Sequence, residues 1–135
     1  MVMYGYLLVY HERRSVPAHW AFFVTDEENG QSGRVYHAVG SPFTGYQVEV
    51  KPSYSLANTR RRYSIIFLGQ IADSWRDQLS GYANNVAAPG ISPSPLDPFA
   101  GQNCQNWLEA FIQKLVSEGI LDSSALDTLS EAPKV

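Results

Sequence analysis

The sequence is poor in cysteine, since Cys104 is the only one among 135 residues. A single thiol excludes an internal disulfide framework, and a free thiol is most at home in a reducing compartment, so we expect a cytoplasmic protein. No glycine-rich run ends in Gly-Lys-Ser/Thr, which excludes that type of phosphate-binding loop. The cysteine and the three histidines, His11, His19 and His37, have no recognised zinc spacing, so we expect no metal and no other cofactor.

Charged residues are also scarce, at 17% of the chain with a formal net charge of −3. This balance gives no reason to expect nucleic acid or an anionic membrane surface as a partner. The one basic run, Arg60 to Arg62, is short and precedes an apolar run, so we interpret it as a solvated strand entrance. The apolar start at 1–10 is short, alternates with tyrosines and lacks a basic leader. It predicts a first strand, and we expect no membrane anchor.

Runs rich in aromatic and β-branched residues predict five strands in the first half of the chain. A polar loop with two glycines, residues 26–33, joins the second and third strands as a hairpin. The fifth run is nearly continuous in apolar residues and predicts a central strand. The expected strands lie at residues 4–10, 18–25, 34–39, 46–51 and 63–68.

The pattern changes to helical spacing in the second half of the chain. It predicts helices at 72–83 and 103–118, a short helical turn at 123–129, and a flexible tail from about 130 that frays at Pro133. Four prolines between 84 and 101 exclude a helix or an inner strand there. With no internal repeat or second domain, we predict a single α+β domain, 1–135, with an antiparallel sheet followed by helices.

Cys104 stands at the start of the second predicted helix. The apolar positions that follow it have the spacing of one buried helical face, and Asn103 is a good N-cap. The free amides and the positive end of the helix dipole would stabilise a thiolate there, which predicts a lowered pKa for Cys104. The alternative is a small core residue on an apolar helix face.

Two histidines lie in the second and third predicted strands. If the hairpin pairs residues whose numbers add up to 58, His19 and His37 share a sheet face as diagonal neighbours. A shift of one residue in the register would separate them. The alternative for each is a half-buried strand residue with one hydrogen bond.

The sequence resembles the circularly permuted papain-like proteins at three places, which read His-Trp-Ala-Phe-Phe-Val at 19–24, Val-Tyr-His-Ala at 35–38 and Asn-Cys-Gln-Asn-Trp at 103–107. It is most similar to the lecithin:retinol acyltransferase and phospholipase A/acyltransferase group, and desumoylating isopeptidases share the order of the motifs. The chain also resembles small fungal proteins of unassigned function. Gln105 and Asn106 stand where that group has Glu and His.

The resemblance implies a permuted papain-like fold in which Cys104 is the nucleophile, His19 the base and His37 the group that orients the base. We therefore expect a cysteine-dependent hydrolase or acyltransferase that attacks an ester, thioester or amide carbonyl through an acyl-cysteine. Hydrolysis, acyl transfer and isopeptidase activity stay open, as do the small-molecule or peptide substrate and the oligomeric state.

The surroundings of the thiol are predicted from nearby residues in the sequence. The Cys104 amide, assisted by the side chain of Gln102, would meet the developing oxyanion. The proline-rich segment 88–99 would form a wall over the site. The other possibility is a non-catalytic domain that holds a small molecule or peptide in the same cleft. The aromatic residues expected at the pocket in either case are Trp20, Tyr36 and Trp107.

Overall fold

A computed structural model describes residues 1–12 and 16–135, and the five strands among them form one antiparallel sheet in the order β4-β3-β2-β1-β5. Three helices follow within the same residues, which confirms an α+β domain with strands first and helices after. None of the helices in this described part is long and apolar enough to cross a membrane. The elements are β1 (Val2–Tyr10), β2 (His19–Thr25), β3 (Ser32–Ser41), β4 (Gly45–Ser55), β5 (Tyr63–Ala72), α1 (Leu79–Asn84), α2 (Cys104–Ser117) and α3 (Ser124–Glu131).

Strand β5 lies at the edge of the sheet and pairs with β1, so the prediction of a central strand is wrong. Its apolar run suggested burial on both faces. In the structure Leu68 and Ile71 are buried in the core, whereas Ile65 and Phe67 are 42% and 50% exposed. An edge strand with one solvated face tolerates such residues singly, and the sequence does not reveal which strand has only one neighbour.

The predicted helix at 72–83 is α-helical only from Leu79 onward. Ala72 still belongs to β5, where it pairs with Val2, and a short 3-10 turn, Asp73–Trp75, follows it. The α-helix begins only at Leu79. Pairing with the first strand therefore overrides the helical spacing at Ala72.

The end of the chain is held by hydrogen bonds, which contradicts the expected flexible tail. Trp20 Nε1 donates to the Pro133 carbonyl at 2.9 Å, and the Ala18 amide donates to the Lys134 carbonyl at 2.8 Å. Ala132 is buried. These contacts lie 113 or more residues apart in sequence, so local composition does not predict them.

Apolar side chains cover both faces of the sheet. The face that carries Trp20, Phe22 and Tyr36 packs against α2, where the rings of Phe22 and Phe111 meet edge to face with centroids 5.8 Å apart. The opposite face carries a second cluster. Because side chains alternate along a strand, His19, the first residue of β2, points to that second face. The second cluster contains Tyr6, Leu8, Tyr10, Ala21, Phe23, Val35 and Leu56.

Candidate functional site

Helix α2 begins at Cys104, as predicted. The Asn103 side chain accepts a hydrogen bond from the Gln105 amide at 2.9 Å, and Asn106 Oδ1 accepts from the Asn103 amide at 2.9 Å. This reciprocal cap satisfies two donors that a helix start leaves free. The cap fixes the point at which the chain enters the helix, and therefore the position of the thiol.

The Cys104 thiol is buried, with 6% of the residue exposed. Its Sγ donates a hydrogen bond to the Ala18 carbonyl at 3.8 Å. Burial raises the pKa of Cys104, while backbone amides, including those of Trp20 and Gln105, act in the opposite direction. The helix start thus has the predicted effect, but desolvation is larger, and the predicted lowering of the pKa is wrong. The resting thiol is protonated at neutral pH.

The two strand histidines are in direct contact. β2 and β3 pair Phe22 with Tyr36 and Phe23 with Val35, the register in which paired numbers add up to 58. His19 Nε2 lies 2.8 Å from His37 Nδ1, with the two rings edge to face. The conditional prediction of a histidine pair is therefore confirmed.

A third group, Glu49, extends this contact and was not predicted. Glu49 lies directly opposite His37 across the β3–β4 ladder, and its Oε1 is 2.7 Å from His37 Nε2. The only signal in the sequence is the alternation of β4, which places Glu49 on one face of a half-exposed strand. Which residue of β3 it faces depends on a register that the sequence does not fix.

Burial lowers the pKa of both histidines. It lowers the pKa of His19 to about 3, with further lowering by His37, Arg61 and Lys51. For His37, burial also dominates, although the hydrogen bond and the charge of Glu49 raise its pKa. Both imidazoles are therefore neutral at pH 7, so each carries one N–H and one free acceptor nitrogen.

One pocket of about 270 Å³ brings Cys104 and His19 together. Helix α2 packs on the face of the sheet opposite to the His19 ring. His19 is the first residue of β2 and Cys104 the first residue of α2, so the two side chains line one pocket at the point where both elements begin. The thiol contacts the carbonyl of the residue before His19. A direct contact within 4 Å between Sγ and the His19 ring stays a prediction. The other lining residues are Glu12, Val16, Pro17, Gly40, Pro42, Tyr46, Pro98 and Asn103.

The predicted pocket aromatics do not line this pocket. Trp20, Tyr36 and Trp107 are almost fully buried in the core between α2 and the sheet. The Trp107 indole N–H donates to the Val86 carbonyl at 3.0 Å. Gln102 is exposed and is also outside the pocket lining. Trp20 and Tyr36 each stand next to a histidine in a strand, so they point to the opposite face of the sheet, and Trp107 belongs to the core between α2 and the sheet.

The proline-rich segment forms part of the pocket, as expected, through Pro98. It is joined to the β3–β4 turn by two hydrogen bonds of 2.8 Å, from the Ser92 amide to the Pro42 carbonyl and from the Tyr46 amide to the Pro89 carbonyl. Tyr46 itself lines the pocket and was not predicted. Its pKa is raised by burial and by the neighbouring Cys104, so its hydroxyl stays protonated and can donate a hydrogen bond.

Within residues 1–12 and 16–135, no group of three or more His, Cys, Asp or Glu residues could hold a metal ion. The sequence model of a family of unknown function, DUF6540, matches residues 5–122. This range contains β1 from its fourth residue onward, the other four strands and helix α2. No curated protein and no solved structure matches the chain.

Proposed function

This chain belongs to the DUF6540 family, whose function is unknown, and we propose from its site that it is a cysteine-dependent hydrolase or acyltransferase with a permuted papain-like fold. The observation that carries the proposal is the bonded pair His19–His37 at a pocket that also holds the thiol of Cys104. A nucleophile, a base and a group that orients the base are the parts that thiol acyl chemistry needs.

The reaction begins with two neutral partners. As Cys104 Sγ attacks the carbonyl carbon, its proton moves to the free Nδ1 of His19, the new S–C bond forms and the carbonyl oxygen becomes an oxyanion. Collapse of this intermediate breaks the bond to the leaving group, which takes the proton from His19. Water or another acceptor then attacks the acyl carbon and gives its proton to His19 Nδ1. The S–C bond breaks, the acyl group leaves on the acceptor, and the Cys104 thiolate takes the proton back from His19. Hydrolysis and acyl transfer differ only in that acceptor.

The oxyanion has two nearby donors. The Cys104 amide lies at the free N-terminal end of α2, and the protonated hydroxyl of Tyr46 lines the same pocket. Hydrogen-bond donors aimed at the developing charge are a major source of rate acceleration in acyl transfer. This pair replaces the donor expected from Gln102.

The pocket favours a small acyl group. Its volume, about 270 Å³, is just below the ~300 Å³ at which ligand pockets begin. Val16, Pro17, Pro42 and Pro98 give it apolar walls, so an uncharged acyl group of a small molecule or peptide fits best. A free thiol is most at home in a reducing compartment, and we infer the cytosol.

The proposal is tested with p-nitrophenyl acetate, whose acetyl group is small enough for this pocket. We expect a burst of p-nitrophenolate and a mass increase of one acetyl group on Cys104. Cys104→Ala should lose both while keeping the fold, and His19→Asn should form the acetyl-enzyme slowly. An acetyl group that appears equally in the Cys104→Ala variant would assign the reaction to another residue.

The second candidate function is a non-catalytic domain that binds a small molecule or peptide. It is favoured by the resting thiol, which is hydrogen-bonded to the Ala18 carbonyl and has a raised pKa. Iodoacetamide separates the two functions. Alkylation of Cys104 at pH 7 that depends on His19 supports catalysis, whereas a thiol that reacts only on unfolding supports binding.

A further inference from the structure

Glu49 is the outermost of three side chains that are joined by hydrogen bonds, and the innermost of them, His19, lines the thiol pocket. From the pocket outward the contacts are His19 Nε2 to His37 Nδ1 at 2.8 Å and His37 Nε2 to Glu49 Oε1 at 2.7 Å. His37 is buried, whereas the Glu49 side chain is 45% exposed. This series of hydrogen bonds therefore runs from the pocket across β2 and β3 to a partly solvated carboxylate on the edge strand β4.

The carboxylate fixes where each proton lies. An ionised carboxylate can only accept, so His37 Nε2 must donate to Glu49. Because His37 is neutral, its Nδ1 then has no proton and accepts from His19 Nε2. His19 is neutral as well, so its Nδ1 is left as the free acceptor. Every tautomer in the chain follows from the charge at one end.

We propose that Glu49 is a positioning residue of the thiol site, which holds both imidazoles in the tautomer that leaves Nδ1 of His19 free to take the proton of Cys104. This inference rests on the proposed function. Without the carboxylate, His37 can carry its proton on Nδ1 instead. His19 Nε2 then has to accept, the His19 proton moves to Nδ1, and the base can no longer accept from the thiol.

Other charged and titratable groups around the pair do not replace Glu49. Lys51 on β4 and Arg61 before β5 are cations, and both disfavour a positive charge on either histidine. The ring of Tyr10 on β1 stacks on His19, but its hydroxyl is bonded to Tyr54 at 2.6 Å. Glu12 lines the pocket and is paired with Arg61 at 2.9 Å. Of the groups that the structure places around the pair, Glu49 is the one bonded to His37.

The test combines histidine NMR with acetylation of Cys104 in Glu49→Ala and Glu49→Gln. Gln47→Ala is the matched control, because Gln47 is exposed on the same strand, two residues away. In the wild type and the control, imidazole ¹⁵N shifts should give the Nε2–H tautomer for His19 and His37. Glu49→Ala should shift both towards a mixture. Glu49→Gln should lie between, since an amide oxygen still accepts from His37.

The acetylation rate with p-nitrophenyl acetate should fall about 10- to 100-fold in Glu49→Ala, less than for a carboxylate in direct contact with a base. The thermal unfolding midpoint should change little, since Glu49 is half-exposed. Unchanged ¹⁵N shifts in Glu49→Ala would overturn the role of Glu49, even with a slow enzyme. Absence of acetyl-Cys104 in the wild type would instead overturn the proposed function, and the NMR result would still decide the tautomers.

Discussion

Gln105 is the residue whose replacement we expect to be most informative about the fold around the thiol. It is 8% exposed, and its Nε2 donates to the Ala18 carbonyl at 2.9 Å and to the Lys134 carbonyl at 2.8 Å. One side-chain amide thus joins the first turn of α2, the residue before β2 and the end of the described chain. The requirement is for a donor of two hydrogen bonds, which glutamine meets and glutamate does not.

Two substitutions separate packing from hydrogen bonding. Gln105→Ala removes two hydrogen bonds of ~1 kcal/mol each and leaves a small cavity, so we expect a loss of about 2–4 kcal/mol in the free energy of unfolding. The Lys134 carbonyl keeps its bond from the Ala18 amide, which limits the loss. Gln105→Glu keeps the size but places a buried carboxylate against two carbonyl oxygens, so at pH 7 it should cost at least as much as alanine.

The glutamate variant also has a predictable pH dependence. Burial and the two carbonyls raise the folded-state pKa of the new carboxyl above its unfolded value of about 4.3. A raised pKa means that the folded state binds the proton more tightly, so the loss relative to wild type should shrink as the pH falls from 7 to 5. The protonated acid can again donate one hydrogen bond.

The assay is urea unfolding followed by tryptophan fluorescence at pH 7 and pH 5. Gln113→Glu is the control, because Gln113 lies on the same helix and is exposed. It should change stability by less than about 0.5 kcal/mol at both pH values. A Gln105→Glu protein as stable as wild type at pH 7, or equally destabilised at both pH values, would refute the role of this amide.

Three further predictions concern the site and its support. Folded His19 stays neutral until its pKa of about 3, whereas an unfolded histidine binds a proton near pH 6.5. Wild-type stability should therefore fall as the pH drops below 6.5, with His19 contributing at most ~1.4 kcal/mol per pH unit, and His19→Asn should weaken this dependence in thermal unfolding. Trp107→Phe loses the 3.0 Å bond to the Val86 carbonyl and should cost about 1–3 kcal/mol in urea unfolding with little effect on acetylation of Cys104. Tyr46→Phe should slow that acetylation by ~10-fold or more without loss of stability, and an unchanged rate would remove Tyr46 from the oxyanion site.

Local patterns predicted the elements that depend on local chemistry. The start of α2 follows from its cap and its apolar spacing, and both are present in the structure. The place of β5 at the sheet edge and its extension to Ala72 depend on pairing with the distant strand β1, which the spacing of apolar residues does not predict. The ordered end of the chain depends on Trp20 and Ala18, more than 110 residues away.

The same difference between local patterns and contacts of distant residues explains which features of the candidate site could be predicted. Cys104, His19 and His37 stand in recognisable motifs, but the raised pKa of the thiol comes from the whole core that desolvates it. Glu49 has no motif, because its role follows from the β3–β4 register alone. Trp20 and Tyr36 were wrongly predicted to line the pocket for a related reason, since each stands next to a histidine in its strand and therefore faces the other side of the sheet.

The two residues that depart from the acyltransferase motif, Gln105 and Asn106, have structural reasons in this chain. Asn106 completes the helix cap, and Gln105 donates to the Ala18 and Lys134 carbonyls, the first of which also accepts from the Cys104 thiol. Neither lines the pocket, so the departures concern how α2 is anchored and not the carbonyl chemistry proposed for Cys104. Selectivity for a substrate should instead depend on the pocket walls. Substitutions at Pro42 or Pro98 should therefore change which acyl group reacts while the His19–His37–Glu49 chain stays intact.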